Sequence, residues 1–332
     1  MRSTQDWRRA TVRRITPLSP TVRELQIVPE GGCERYAPGS HLQLRLPLAD
    51  GRTLTRSYSL VGLPDGSGAW RIAVKRCEPS RGGSAAVHAL AEGTVIEVLP
   101  PQNHFELSSR APQTLLVAGG IGITPLVAMA QALVARGADL RLLYAARSEA
   151  ELVYVDTLRA LLGDRLQTFV SAAGQRLELT TELARLHPQG ELLLCGPSAL
   201  IRDAQQAWQA AGRPAHGLRF ETFGADATAA EPFWVKLPRH GLQFDVPTDQ
   251  TLLQALEAHG IDTLSDCQRG ECGLCAMDVI EVQGRIDHHD VFLGPAERAA
   301  DHRICACVSR VRGRSEERRV GKECRSRWSP YH

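Results

Sequence analysis

Aromatic residues make up only 5% of the 332 positions and methionine occurs three times, so any core must rest on aliphatic side chains. With 43% hydrophobic and 23% charged residues, a chain disordered throughout is excluded. Excess charge is lacking too. Thirty-nine Lys and Arg against 37 Asp and Glu leave +2, which excludes a protein that coats nucleic acid by bulk charge. No basic start followed by an apolar run opens the sequence, since Arg8, Arg9, Arg13 and Arg14 punctuate it. A cytoplasmic protein is the expectation. An unbroken membrane span is also missing: the longest uncharged stretch, 114–135, is interrupted by Gly119-Gly120-Ile121-Gly122 and Pro125. It reads as a buried strand, a glycine loop and a buried helix. The length is too great for one core and suits two or three domains.

The texture of the chain changes twice. Up to about Leu107, apolar and polar residues alternate, as in His41-Leu42-Gln43-Leu44-Arg45-Leu46 and Trp70-Arg71-Ile72-Ala73-Val74-Lys75. Period-2 runs separated by turn clusters predict an antiparallel sheet or barrel. From Thr114 the rhythm becomes strand, helix, strand, with helices expected over 125–135, 149–162 and 197–211. That alternation predicts a parallel, doubly wound α/β sheet. Residues 225–232 are small and unpatterned and read as a linker. Two further strands, a helix from about Asp249 to His259 and a cysteine-rich loop follow.

Nine cysteines would suit a disulfide set, but Cys267, Cys272, Cys275, Cys305 and Cys307 cluster in one stretch, which points to metal or redox chemistry in a cytosolic chain. Cys267, Cys272 and Cys275 form C-x4-C-x2-C, the plant-type [2Fe–2S] spacing. Zinc is the rival, but structural zinc sites usually carry two short C-x2-C pairs. Cys305 and Cys307 both stand open as the fourth ligand, because residues two apart on a strand face the same way. His288-His289-Asp290 has the letters of a metal site, yet neighbours on a strand face opposite ways, and a solvated turn is expected.

Three glycine-rich turns suggest nucleotide binding. Ala118-Gly119-Gly120-Ile121-Gly122-Ile123-Thr124-Pro125 follows a strand and opens a helix, where bare backbone N–H groups can approach a pyrophosphate; such a turn is as often mere packing. Cys195-Gly196-Pro197 ends a later strand, on the sheet edge where ligands bind. No base or orienting group accompanies Cys195, so it reads as a small half-buried residue rather than a nucleophile. Arg56-Ser57-Tyr58-Ser59 offers a cation, a flat ring and hydroxyls suited to a flavin nucleotide, although alone it is equally a solvated strand. Arg81-Gly82-Gly83-Ser84, ahead of an Ala-rich helix, can hold an anion.

Taken in order, R-S-Y-S, R-G-G-S, G-G-I-G-I-T-P, C-G-P and C-x4-C-x2-C resemble one family, the phthalate dioxygenase reductase and vanillate O-demethylase reductase group. The resemblance covers about residues 8–313. It implies an antiparallel β-barrel flavin domain (1–108), an α/β doubly wound nucleotide domain (109–224) and an α+β (β-grasp) ferredoxin domain (233–314). It further implies that Arg56, Ser57, Tyr58 and Ser59 hold FMN, with Lys75 beside them and Gly82, Gly83 and Ser84 at its phosphate. Gly119, Gly120, Gly122, Thr124 and Pro125 would hold NADH, and Cys195, Gly196 and Pro197 would lie beside the nicotinamide. Arg147, where the adenosine ribose should sit, could meet a 2′-phosphate but is as readily surface charge. Glu221 and Phe223 could approach the flavin. The family's last cysteine opens a C-x-S-R element, matched by Cys307-Val308-Ser309-Arg310, so Cys307 is preferred over Cys305.

What the resemblance implies of function is an NADH-dependent reductase that passes electrons through FMN and a [2Fe–2S] cluster to a Rieske-type oxygenase acting on an aromatic compound. Hydride transfer needs no general base, and no catalytic side chain is expected. The expected protein is a monomer with no nucleic-acid or membrane partner. Two alternatives stay open: a reductase for a non-Rieske acceptor such as a cytochrome or diiron hydroxylase, and a degenerate, non-enzymatic interaction module. Residues 315–332 depart from the family pattern, and their five Arg and Lys against three Glu equal the net charge of the whole protein. They read as a basic docking tail, a disordered end or, preferred, a non-native stretch replacing the last ferredoxin strand.

Overall fold

Alternating leucines set the first sheet. In β3 (Ser40–Pro47) Leu42, Leu44 and Leu46 are fully buried while Gln43 and Arg45 turn outward. The computed structural model describes residues 6–47, 51, 53–78, 82–108, 110–223, 231–248, 250–313 and 324–325. Besides β3, the first sheet holds β1 (Arg8–Pro17), β2 (Val22–Pro29), β4 (Thr53–Ser59), β5 (Trp70–Lys75), β6 (Val95–Val98) and β7 (Gln102–Asn103), with α1 (Gly83–Ala89) between β5 and β6. Its order is β4-β3-β6-β1-β2-β5, all antiparallel, with β7 on β3. The chain just beyond β4 returns to β5, because Leu60 bridges Ile72 and the Val61 N–H donates to the Arg71 carbonyl at 2.8 Å. The sheet therefore closes into the expected barrel around Val12, Leu25, Ile27, Leu44, Trp70 and Ile72.

The second sheet is parallel throughout. It is built from β8 (Thr114–Gly119), β9 (Leu140–Ala146), β10 (Leu166–Val170), β11 (Glu191–Cys195) and β12 (Leu218–Glu221) in the order β10-β9-β8-β11-β12. Helices α2 (Ile123–Ala135), α3 (Val155–Leu162), α4 (Leu179–Ala184) and α5 (Ser198–Ala210) connect the strands. The strand order reverses between β8 and β11, which fixes the switch point at the ends of those two strands. The helix expected over 149–162 is shorter than its sequence pattern. A 3-10 turn at Glu149–Glu151 precedes it, and Tyr154 adopts φ 63° while its hydroxyl donates to Glu24 of β2 at 2.7 Å. A tertiary contact overrides local propensity there.

The chain divides into two compact units, Met1–Glu221 and Thr222–His332. In the first, barrel and parallel sheet share one apolar core in which Val22, Val61, Ala73 and Phe105 pack with Leu116, Ile123, Leu126 and Met129.

The second unit opens with the hairpin β13 (Phe233–Leu237) and β14 (Leu242–Val246). Helix α6 (Leu252–Ala258) starts at a capping box in which Thr251 Oγ1 accepts from Gln254 N–H and Gln254 Oε1 accepts from Thr251 N–H. After the cysteine loop come β15 (Ala276–Val279), β16 (Arg285–Asp287), α7 (Pro295–Ala300), β17 (Arg303–Cys305), β18 (Arg310–Arg312) and β19 (Cys324–Arg325). β17 and β19 flank β15, and β16 pairs with β18. Val235, Leu237, Val246, Leu256, Met277 and Ile304 form the core. Of the expected linker only 231–232 lie among the described residues. Of the tail only 324–325 do, and their backbone pairs antiparallel with Asp278 and Val279.

Candidate cofactor sites

Strand β4 lays R-S-Y-S along the barrel, and α1 comes back against it. A Cβ on Gly83 would sit 2.9 Å from Arg56 Cγ and 3.0 Å from its Nε, so the bare glycine lets the arginine cross the first turn of the helix. Arg56 Nη1 also donates to the Thr55 carbonyl at 2.8 Å. The motifs R-S-Y-S and G-G-S are thus brought together, with Arg56 against the first turn of α1. Burial, only partly offset by the Arg56 charge, raises the Tyr58 pKa and keeps its phenol neutral. Ser57 is half-buried. Ser59 Oγ donates to Glu221 Oε2 at 2.9 Å, both residues being buried. The end of β12 therefore meets the end of β4, where a flavin and a nicotinamide could come together.

Two members of this set are engaged elsewhere. Lys75 Nζ lies 2.8 Å from Glu151 Oε1, each side chain about a quarter exposed at 26% and 21%. Ser84 Oγ accepts from the Cys77 N–H at 3.2 Å and closes the preceding loop. Gly82, at φ 90°, precedes α1 and its carbonyl accepts from Ala86 N–H at 2.8 Å. Arg81 lies outside the described residues.

At the switch point the two glycine turns interlock. A Cβ on Gly122 would lie 2.1 Å from the Cys195 carbonyl oxygen, and one on Gly119 would lie 2.7 Å from Pro197 Cδ. A Cβ on Gly196 would in turn lie 3.1 Å from the Gly119 Cα and nitrogen. These three glycines are required by turn-on-turn packing. Gly120 differs: at φ 56° it has nothing within 4 Å of its Cβ position and leaves open space above the loop. Thr124 is buried and its hydroxyl donates to the Ile121 carbonyl at 3.0 Å, so it shapes the turn rather than facing outward. Pro125 is buried in the first turn of α2, where a missing N–H costs nothing. Cys195 is fully buried, more than the half-buried residue expected, so only its backbone can face a ligand. Pro197 and Arg147 are exposed.

In the second unit, positive φ at Gln268, Gly270 and Gly273 folds the loop so that N–H groups turn inward. Those of Arg269, Glu271 and Cys272 each lie 3.4 Å from Cys267 Sγ. Burial raises the Cys267 pKa while these amides oppose it. Hydrogen bonds from the thiols of Cys305 and Cys307 bring Cys275 down to about 3, and the same bonds push those two thiols up. Cys307 further receives the Gly270 N–H and feels the Cys267 sulfur. A donor set of thiols alone, ringed by amides, fits a two-iron cluster and its sulfides.

Sequence reasoning missed two features. The turn at His288-His289-Asp290 is not solvated: side-chain exposure is 6% for His288 and 0% for Asp290. Arg310 of C-x-S-R donates to the carbonyls of Gln250, Pro247 and Glu231 and lies 5.0 Å from the Phe233 ring centroid. A single arginine gathering backbone carbonyls gives no periodicity to read.

Three family models match the chain: an oxidoreductase FAD-binding domain over 9–107, the N-terminal domain of dimethylamine monooxygenase subunit DmmA-like proteins over 94–218, and a 2Fe-2S iron-sulfur cluster binding domain over 235–312. The heme-dependent oxidative N-demethylase beta subunit of Ectopseudomonas mendocina is 38% identical, covering 92% of this chain and 95% of its own length. Phthalate dioxygenase reductase, described as a modular structure for electron transfer from pyridine nucleotides to [2Fe–2S], superposes with a TM-score of 0.77 at 27% identity, covering 96% of this chain and 98% of that one. The chain belongs to the phthalate dioxygenase reductase family. Full-length CYP116B46 from Tepidiphilus thermophilus is also similar, at 34% identity and a TM-score of 0.65, and this chain covers 42% of it with 95% of its own residues. As a member of the family, the chain is an oxidoreductase that uses a flavin and a [2Fe–2S] cluster. No described helix is long and apolar enough to cross a membrane.

Proposed function

We propose that this reductase carries electrons from NADH through FMN to its [2Fe–2S] cluster and on to a Rieske-type oxygenase acting on an aromatic compound. The observation that carries the reading is the convergence of R-S-Y-S, the first turn of α1 and the two interlocked glycine turns within one unit, with Ser59 bonded to Glu221 where they meet. Arg56 and the amides of Gly82, Gly83 and Ser84 would hold a terminal phosphate, which favours FMN over a dinucleotide flavin. Tyr58 presents a neutral ring for stacking. Gly120 admits the nicotinamide nucleotide over the start of α2, and the backbone of Cys195, Gly196 and Pro197 lines its far side. Arg147 stays in solvent, which supports NADH over its 2′-phosphorylated form. Cys267, Cys272, Cys275 and Cys307 hold the irons. The cofactors supply hydride acceptance and one-electron release. The residues supply distance, orientation and exclusion of water. The proposed protein works as a cytoplasmic monomer with domain limits at 1–108, 109–224 and 233–314.

A second reading is favoured by the 38% identity to a heme-dependent N-demethylase subunit: the acceptor is a heme-dependent oxidative enzyme. Purified reductase with NADH, mixed anaerobically with a Rieske oxygenase or a heme-dependent demethylase, separates the two. Reduction of the Rieske centre within seconds supports the first reading. Fast heme reduction with an oxidised Rieske centre replaces it with the second.

A further inference from the structure

The buried turn after β16 carries an ionic network. Asp290 Oδ1 accepts from Ser309 Oγ at 2.9 Å and lies 3.3 Å from His288 Nδ1. Its Oδ2 accepts from the Leu293 N–H at 2.9 Å and lies 3.8 Å from Arg298 Nε. The other ring nitrogen of His288 is 3.2 Å from Asp301 Oδ1. Burial opposes ionisation of Asp290, but the bonds from His288, Leu293 and Ser309 and the Arg298 charge outweigh it and hold the carboxyl below its usual range.

Asp290 meets both halves of the cysteine set, one through its carboxylate and the other through its backbone. Ser309 ends the turn 305–309, in which the N–H groups of Val308 and Ser309 both donate to the Cys305 carbonyl and Cys307 sits near the apex. On the other side, the Val291 N–H donates to the Gly270 carbonyl at 3.0 Å. Gly270 is packed so closely that a Cβ would lie 2.9 Å from Asp290 Cα and 2.6 Å from Val308 Cγ2. One backbone step thus joins the loop of Cys267, Cys272 and Cys275 to the turn of Cys307.

We propose that Asp290 is a positioning residue for the cluster, fixing the Cys307 turn against the C-x4-C-x2-C loop and lowering the cluster's reduction potential with its buried negative charge. The inference rests on the [2Fe–2S] reading above. The physical basis is that reduction adds an electron near an anion that solvent cannot screen, and that ligand orientation is set by the groups behind the ligands.

The test uses the full, cluster-loaded protein as wild type, Asp290→Asn and Ser309→Ala. Electron paramagnetic resonance of the reduced cluster reads ligand geometry, and a potentiometric titration reads the midpoint. Asp290→Asn is expected to make the cluster about tenfold easier to reduce, about 59 mV for one electron, with shifted g-values and unchanged flavin content. Ser309→Ala keeps the charge and is expected to shift the g-values and quicken cluster loss to a chelator, with a smaller change in potential. A wild-type spectrum and midpoint in Asp290→Asn overturn the proposal. If that variant holds no cluster, Ser309→Ala decides: altered g-values support the proposal, and wild-type g-values with wild-type chelator resistance overturn it. Absence of any [2Fe–2S] signal in the reconstituted wild type overturns the functional reading and the proposal with it.

Discussion

Replacing Gly122 with alanine tests how the nucleotide site is built. The new Cβ would meet the Cys195 carbonyl oxygen at 2.1 Å, its carbon at 2.5 Å and the Gly196 nitrogen at 2.8 Å. All three are backbone atoms at the end of β11, so no side chain can swing aside. Relief requires the two turns to part by most of an ångström, and overpacking of this kind costs about 1–3 kcal/mol. For a unit of this size that is a fall in Tm of roughly 2–12 °C. The same movement displaces Gly119, Gly120 and the start of α2, so NADH binding should weaken together with stability. Gly137→Ala, beyond the far end of α2, is the control. Its Cβ meets nothing within 4 Å, and at φ 65° it carries only the left-handed backbone penalty of about 1–2 kcal/mol. Stopped-flow reduction of the flavin at varied NADH gives the affinity, and thermal unfolding gives Tm. A Gly122→Ala protein with wild-type Tm and wild-type NADH dependence would refute the interlocked-turn reasoning.

Cys307→Ser is expected to abolish the [2Fe–2S] spectrum while Cys305→Ser retains it; the reverse pattern would exchange their roles. Lys75→Met removes a partly buried ion pair to Glu151 and should cost about 1 kcal/mol or less, with flavin content intact; loss of flavin would return Lys75 to the flavin site. Four tyrosines of the first unit have raised pKa values, mainly through burial: Tyr36 to about 12, and Tyr58, Tyr144 and Tyr154 in the same direction. Their folded values exceed that of the unfolded chain, near 10. The stability they contribute is therefore full below about pH 10 and falls as pH rises beyond it, by up to about 1.4 kcal/mol per pH unit for each tyrosine. Urea midpoints measured across the alkaline range check this, and a flat profile would contradict it.

Much of this architecture was legible because it rests on periodicity and spacing. Leu42, Leu44 and Leu46 announced a barrel strand by alternation, and C-x4-C-x2-C announced its cluster by interval. The glycine turns were found, but their division of labour was not. Only packing shows that Gly119, Gly122 and Gly196 serve contact between turns while Gly120 faces open space. Likewise the sequence could not show that Lys75 meets Glu151, since the two lie 76 residues apart, one on β5 and the other in the turn before α3. The turn at His288-His289-Asp290 misled because alternation on an assumed strand says nothing of a turn folded into the interior. Its carboxylate is recognised only once Ser309, Leu293 and Arg298 are seen around it.

The central claim is an unbroken electron path from NADH to the cluster within one chain. Anaerobic titration of the reconstituted protein with NADH, followed by visible absorption and by electron paramagnetic resonance, tests it most directly. The account predicts that flavin and iron–sulfur absorption bleach together and that the signal of a reduced [2Fe–2S] cluster appears. A protein that binds neither cofactor after reconstitution, or whose loaded cofactors stay oxidised under NADH, would contradict it.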